Sequence, residues 1–146
     1  MNKYKIGVDI LYQKRIIKTE QNKSKGHQRD DRKDKIMLDV KNFTSERTGK
    51  AIPNQFIITD GKGTTTFKSY NSIIAEQRGA GGGYDDVIIF GEDYNYSTTT
   101  SKYLNRFLEM IGYKEIANSR DREKAIEKGM FYSGNKAIYV SVDDTL

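Results

Sequence analysis

Apolar and polar positions alternate with a period that changes along the chain, and each change marks an element. Tyr4, Ile6, Val8, Ile10 and Tyr12 recur at every second residue, the period of a strand with one buried face. Ile16 and Ile17 extend that pattern. Lys18–Lys35 then holds no large apolar residue. Such a stretch buries too little surface to offset the entropy of ordering it, which predicts a mobile basic loop or arm at 18–35. Alternation resumes in Ile36–Phe43, with apolar residues at 36, 38 and 40. Thr44–Asn54 is polar, contains Gly49 and Pro53, and is expected to be a loop. Gln55–Thr59 and Thr64–Tyr70 are β-rich runs around Asp60-Gly61-Lys62-Gly63, the best hairpin signal in the chain. Ile73–Gln77 and Val87–Phe90 read as further short strands, joined by the glycine connector Gly79–Gly83.

The period then shifts to that of a helix. Tyr103, Leu104, Phe107, Leu108 and Ile111 lie on one helical face, Ser97 or one of Thr98–Thr100 can cap its start, and Gly112 can stop it. A principal helix is predicted over about 98–111. Ser119 is the expected cap of a second, short helix over about 120–128 that lies on the surface, with Ala125 and Ile126 as its main apolar residues and Gly129 as its stop. Met130–Tyr132 and Ala137–Val142 flank Ser133-Gly134-Asn135 as a closing hairpin. These elements predict an α+β fold, one domain over residues 1–146, with a mainly antiparallel sheet of about five to seven strands under the principal helix.

Composition narrows the chemistry. The chain has 146 residues, enough for one core, and 36% are hydrophobic, a low share that places part of the chain outside it. It has no cysteine and one histidine, His27, so disulfides and thiolate metal sites are excluded. No apolar run approaches the ~20 residues of a membrane span. The start, MNKYKIGVDILYQKR, lacks the apolar stretch of a signal peptide, so a cytoplasmic location is expected and no membrane contact.

Charge is unevenly spread. Residues 1–35 hold 11 Lys/Arg and 5 Asp/Glu, a balance of +6, and residues 36–146 hold 14 and 15, a balance of −1. A local basic stretch attracts phosphate backbones or acidic protein surfaces. The candidate contact residues are therefore Lys14, Arg15, Lys18, Lys23, Lys25, Arg29, Arg32, Lys33 and Lys35.

Other candidates are weaker. Gly79-Ala80-Gly81-Gly82-Gly83 lacks the lysine and hydroxyl of a phosphate loop and runs into Tyr84-Asp85-Asp86. Asp85-Asp86 and Glu92-Asp93 flank a strand and offer hard oxygen ligands for Mg²⁺ or Mn²⁺, as in a metal-dependent nuclease. Neighbouring strand residues point to opposite faces, however, and no metal or cofactor is expected. Ser97, Thr98, Thr99 and Lys102 cluster at a helix entry, where free N–H groups and the helix dipole favour an anion. Ten tyrosines and six phenylalanines suggest base stacking at Lys3-Tyr4-Lys5 and at Phe67-Lys68-Ser69-Tyr70.

The segment Phe67–Ala75, FKSYNSIIA, followed by Tyr94–Leu108, YNYSTTTSKYLNRFL, resembles a group of small proteins from bacteriophages and mobile elements of Gram-positive bacteria. They share an F-x-S-Y-x-x-x-I-A strand ahead of a Y-S-x-T-T-S-K-Y-L-x-x-F-L helix entry. The resemblance implies a setting: a phage or mobile-element accessory protein, without catalytic residues, that acts by binding a host machine. A small α+β body with a basic front end is also similar in plan to type II anti-CRISPR inhibitors. That similarity implies direct inhibition of a host defence nuclease, an RNA-guided ribonucleoprotein of the Cas9 type, in the host cytoplasm. The alternative is a nucleic-acid-binding module that holds DNA or RNA with the basic segment and stacks bases on Tyr4 and Tyr70.

Overall fold

The computed structural model describes residues 37–79 and 86–146, which lie within one compact unit, Ile36–Leu146. The sequence expectations for residues 1–36 and 80–85, Asp85 among them, lie outside the described residues. Seven strands form one sheet in the order β1-β2-β3-β4-β5-β7-β6. They are β1 (Leu38–Thr44), β2 (Ala51–Asp60), β3 (Thr65–Ser69), β4 (Ser72–Arg78), β5 (Val87–Gly91), β6 (Met130–Ser133) and β7 (Lys136–Asp143). Five strands meander antiparallel, then helices α1 (Thr98–Met110) and α2 (Ser119–Lys128) cross over, and β7 returns parallel to β5. The fold is α+β with a mainly antiparallel sheet, as the alternation predicts.

Local chemistry explains the turns. At the β2–β3 hairpin the Asp60 carboxylate accepts from the Lys62 and Thr64 backbone N–H groups at 2.9 and 2.7 Å. These bonds, Thr64 foremost, hold its pKa below the ordinary value. Ser97 is extended and accepts from the Thr100 N–H at 3.0 Å, which starts α1. Helix α2 begins one residue earlier than expected. Asn118 is the cap, its Oδ1 accepting from Asp121 N, while Ser119 is already helical. Gly129 ends α2 in the left-handed conformation at φ 72°.

One expected loop is a strand. β2 begins at Ala51 and runs through Pro53. β3 pairs with β2 only between Gln55 and Thr59, so the N–H that proline lacks is not needed on that side. Of the first residues of β2, Ala51 pairs with Thr44 of β1, and the Asn54 carbonyl accepts from Tyr70 N at 2.7 Å.

One face of the sheet carries the core. Phe43, Phe67, Ala75, Ile88, Phe90, Ile138 and Val140 meet Leu104, Phe107 and Leu108 of α1, with Ile116 and Ala125 closing the α2 side. Phe67 stacks on Phe107 with ring centroids 5.7 Å apart, and Phe43 meets Phe67 edge-on at 5.6 Å. Gly91 is fixed by close approach: a Cβ there would lie 2.1 Å from the Ile73 carbonyl oxygen. At β1 the apolar side chains turn to the face away from the helices, because Lys41, not Val40, shares the face of Ile57 and Phe67. Met37, Leu38 and Val40 are 73%, 61% and 56% exposed.

Candidate functional site

The nine basic candidates from Lys14 to Lys35 lie outside the described residues, as does Tyr4. The described candidates gather at the entry of α1, and the backbone shows how. The chain leaves β5 at Gly91, makes a 3-10 turn over Glu92–Asn95 and enters α1 after Ser97. Ser72 at the start of β4 donates from its hydroxyl to Asp93 Oδ2 at 2.5 Å. That bond brings the β3–β4 turn, Tyr70-Asn71, to the same end of the molecule as the helix entry.

The four residues of the expected anion site have different duties. Ser97 is consumed by the cap, accepting from Thr100 N and donating to Thr100 Oγ1 at 3.0 Å. Thr98, Thr99 and Lys102 are exposed. The ammonium of Lys102 sits 5.5 Å from the centroid of the Tyr103 ring. Tyr96, Ser97, Thr98, Ser101, Lys102 and Asn105 line a shallow open depression of about 660 Å³, from which Thr99 is excluded. Thr98, Ser101, Lys102 and Asn105 are spaced as one helical stripe, and Tyr96, 82% exposed, stands at its rim.

Beneath this stripe lies a residue that the sequence reading missed. Arg122 of α2 is 1% exposed. Its guanidinium donates to Asn105 Oδ1 at 2.8 Å and to the Ile116 carbonyl at 3.3 Å, while Nε has no partner. Both acceptors are neutral. Burial pulls the guanidinium below its ordinary range, and Glu123 acts the other way. α2 lies on the surface as expected, with Ala125 and Ile126 turned to the core, and it is anchored in addition by a buried cation. Asn105 joins the two layers, since it lines the depression and holds Arg122. The signal lay in its spacing: Arg122 is three and four residues before Ala125 and Ile126, on the helix's one apolar face, whereas Arg120 is not. Tyr94 adds a second tie, donating to Glu123 Oε1 at 2.8 Å. Its hydroxyl is pushed up to about 12 by burial first and by that carboxylate second.

Among the described residues the other candidates do not assemble. Phe67 is wholly buried, so it stacks on Phe107 and not on bases. Tyr70 is 60% exposed and holds φ 54°, a left-handed conformation unusual for an aromatic residue. Asp86 accepts from the Tyr113 hydroxyl at 2.8 Å and from Lys136 Nζ at 2.7 Å. Burial and this carboxylate push the Tyr113 pKa well above the ordinary value. Asp93 is held by Ser72 at the opposite end of β5, roughly 15–20 Å away at ~3.3 Å per strand residue. Among the described residues no group of three or more His, Cys, Asp or Glu comes together. No helix among them is long and apolar enough to cross a membrane.

Residues 38–128, more than half of the chain, match a family of unknown function (DUF8033), and the chain belongs to that family. The match begins with β1 and ends with α2, so it takes in both the depression and the Tyr70 turn. No curated protein and no solved structure matches the chain.

Proposed function

We propose that the chain is a non-enzymatic accessory protein of a phage or mobile element that binds a host defence nuclease directly, in the host cytoplasm, and inhibits it. The observation that carries this reading is the separation of charge: +6 in residues 1–35 against −1 in residues 36–146. A guide-loaded nuclease presents both bound RNA and acidic protein faces, so a basic segment carried by a near-neutral body suits it better than an empty basic channel, which would repel it.

The body contributes a contact surface of its own. In the helix-entry motif, Ser97 is used as a cap, and Thr100, Tyr103, Leu104, Phe107 and Leu108 are used as buried residues. Tyr96 and Lys102 have no comparable duty in the fold, and both face the open depression. The test is cleavage by a guide-loaded RNA-guided nuclease with increasing amounts of the purified chain. Dose-dependent inhibition, lost on Lys102→Glu with Tyr96→Ala, supports the reading. Full cleavage at every dose rejects it.

Exposed Tyr70 and Tyr96 at one end of the body favour a second reading, a module that binds nucleic acid directly by stacking. Binding of labelled DNA and RNA at about 50 and 200 mM salt separates the two, because phosphate contacts lose most affinity over that range.

A further inference from the structure

The two edges of the sheet are unlike. Among the described residues β6 is a short edge of four residues, whereas β1 is an edge of seven paired to the ten-residue β2. Short edges resist pairing, and long exposed ones invite it. The regular part of β1 is Leu38–Asn42, because a register shift separates Asn42 from Thr44. Leu38, Asp39, Val40 and Lys41 are all exposed, and Asp39 and Lys41 form an ion pair along the strand on one face.

We propose that β1 pairs with β1 of a second copy of this chain, antiparallel and centred on Val40. The assignment follows from the order Leu38-Asp39-Val40-Lys41-Asn42. An antiparallel pair related by a two-fold axis through the sheet sets residue i opposite residue j with a constant sum, and directly opposite residues share a face. A centre at Asp39 sets that carboxylate against its own copy. A centre at Lys41 sets two ammonium groups together. A centre at Val40 sets each Asp39 opposite the second copy's Lys41, Val40 opposite Val40, and Leu38 opposite Asn42. Opposite charges directly across strands attract and like charges repel. The chosen centre is also the midpoint of the regular stretch, so pairing ends where the register shift begins. The helices pack mainly over β3, β4, β6 and β7, and α1 meets β1 at Phe43 and Thr44, beyond the regular stretch, which leaves Leu38–Lys41 exposed. The result is a continuous sheet across two copies, closed by symmetry.

Sedimentation of the full chain between about 1 and 300 μM tests this. The expected result is a reversible monomer–dimer equilibrium. Lys41→Asp alone sets like charges opposite each other at both symmetric positions and weakens the dimer by about tenfold or more. Adding Asp39→Lys to it restores the complementary pattern and returns the dissociation constant to within about threefold of the original. Both residues are exposed, and an unchanged unfolding curve for each variant shows that the body is intact. A monomer at every concentration overturns the proposal, as does a dimer indifferent to Lys41→Asp or a double variant that stays as weak as the single one.

Discussion

The two halves of the sheet use the same alternation for different ends. In the half formed by β3, β4, β5 and β7, one face meets two helices, and Phe67, Ala75, Ile88, Phe90 and Ile138 are completely buried. In the β1–β2 half Phe43, at the far end of β1, meets Phe67 and Tyr103, and Ile52 and Ile57 of β2 pack against the same core while staying partly exposed. Arg106 secures that end by donating to the Thr44 carbonyl at 3.2 Å. Leu38 and Val40 stand in solvent on the opposite face, since Val40 pairs with Ile58 and Ile58 with Thr66, while Lys41 pairs with Ile57 and Ile57 with buried Phe67. The helix-side face is thus apolar in one half and carries Asp39 and Lys41 at the β1 edge, while the apolar Leu38 and Val40 point to the side that no helix covers. The covered half holds the fold, whereas the β1 edge and the helix entry are exposed.

The largest expected contrast comes from truncating one apolar residue in each half. Phe107→Ala removes a wholly buried ring stacked on Phe67 and is expected to cost about 3–5 kcal/mol in denaturant unfolding. Val40→Ala, measured at a dilution where the chain is monomeric, is expected to stay within about 0.5 kcal/mol. Equal losses would mean that the two halves are equally part of the core.

A smaller effect is expected at Gly91, where a methyl group meets the Ile73 carbonyl and forces β4 and β5 apart. Gly91→Ala is expected to cost about 1–3 kcal/mol by overpacking. The same β4–β5 junction carries the Ser72–Asp93 bond, so the variant also loosens the helix entry, which hydrogen exchange at Tyr96–Thr99 reads out.

Tyr70 sharpens the contrast from the other side. Its left-handed backbone costs about 1–2 kcal/mol for a side-chain-bearing residue, and its ring is mostly exposed. Tyr70→Gly is expected to raise stability by about 0.5–1 kcal/mol after the greater entropy of glycine is counted, while weakening any partner that stacks on the ring. A loss of stability would show that the ring contributes to the fold instead.

The smallest effect is one of pH. The Tyr94 hydroxyl rises from an ordinary 10 to about 12 in the fold, through burial and then Glu123. The stability attached to its protonated form is fully present below pH 10 and is lost as pH rises toward about 12. Tyr94→Phe is expected to flatten that part of the alkaline unfolding profile, and an unchanged profile would place the titration elsewhere.

The alternating runs and glycine turns made five strands, both helices and the final hairpin legible in the sequence, because each depends on local periodicity. The start of β2 was not legible, since Pro53 argues against a strand unless its unpaired side is known. Nor was the insertion of β7 beside β5, because a parallel neighbour carries no local turn signal. At the helix entry the sequence pointed to Ser97, Thr98, Thr99 and Lys102 as a group. Geometry separates them into a cap, two groups on the depression and one outside it. Arg122 and Asn105 escaped because their role exists only once the two helices are packed together.

The division of labour is tested most directly by a variant in which Lys14, Arg15, Lys18, Lys23, Lys25, Arg29, Arg32, Lys33 and Lys35 are all changed to Gln. Its capture by a guide-loaded nuclease is compared with that of the unaltered chain, with free DNA and RNA alongside, at about 50 and 200 mM salt. The prediction is that the unaltered chain is held by the ribonucleoprotein, the variant is not, and both unfold at the same denaturant concentration. Equal capture of the two chains would contradict the account, as would tight, salt-steep binding of the unaltered chain to free nucleic acid with none to the nuclease.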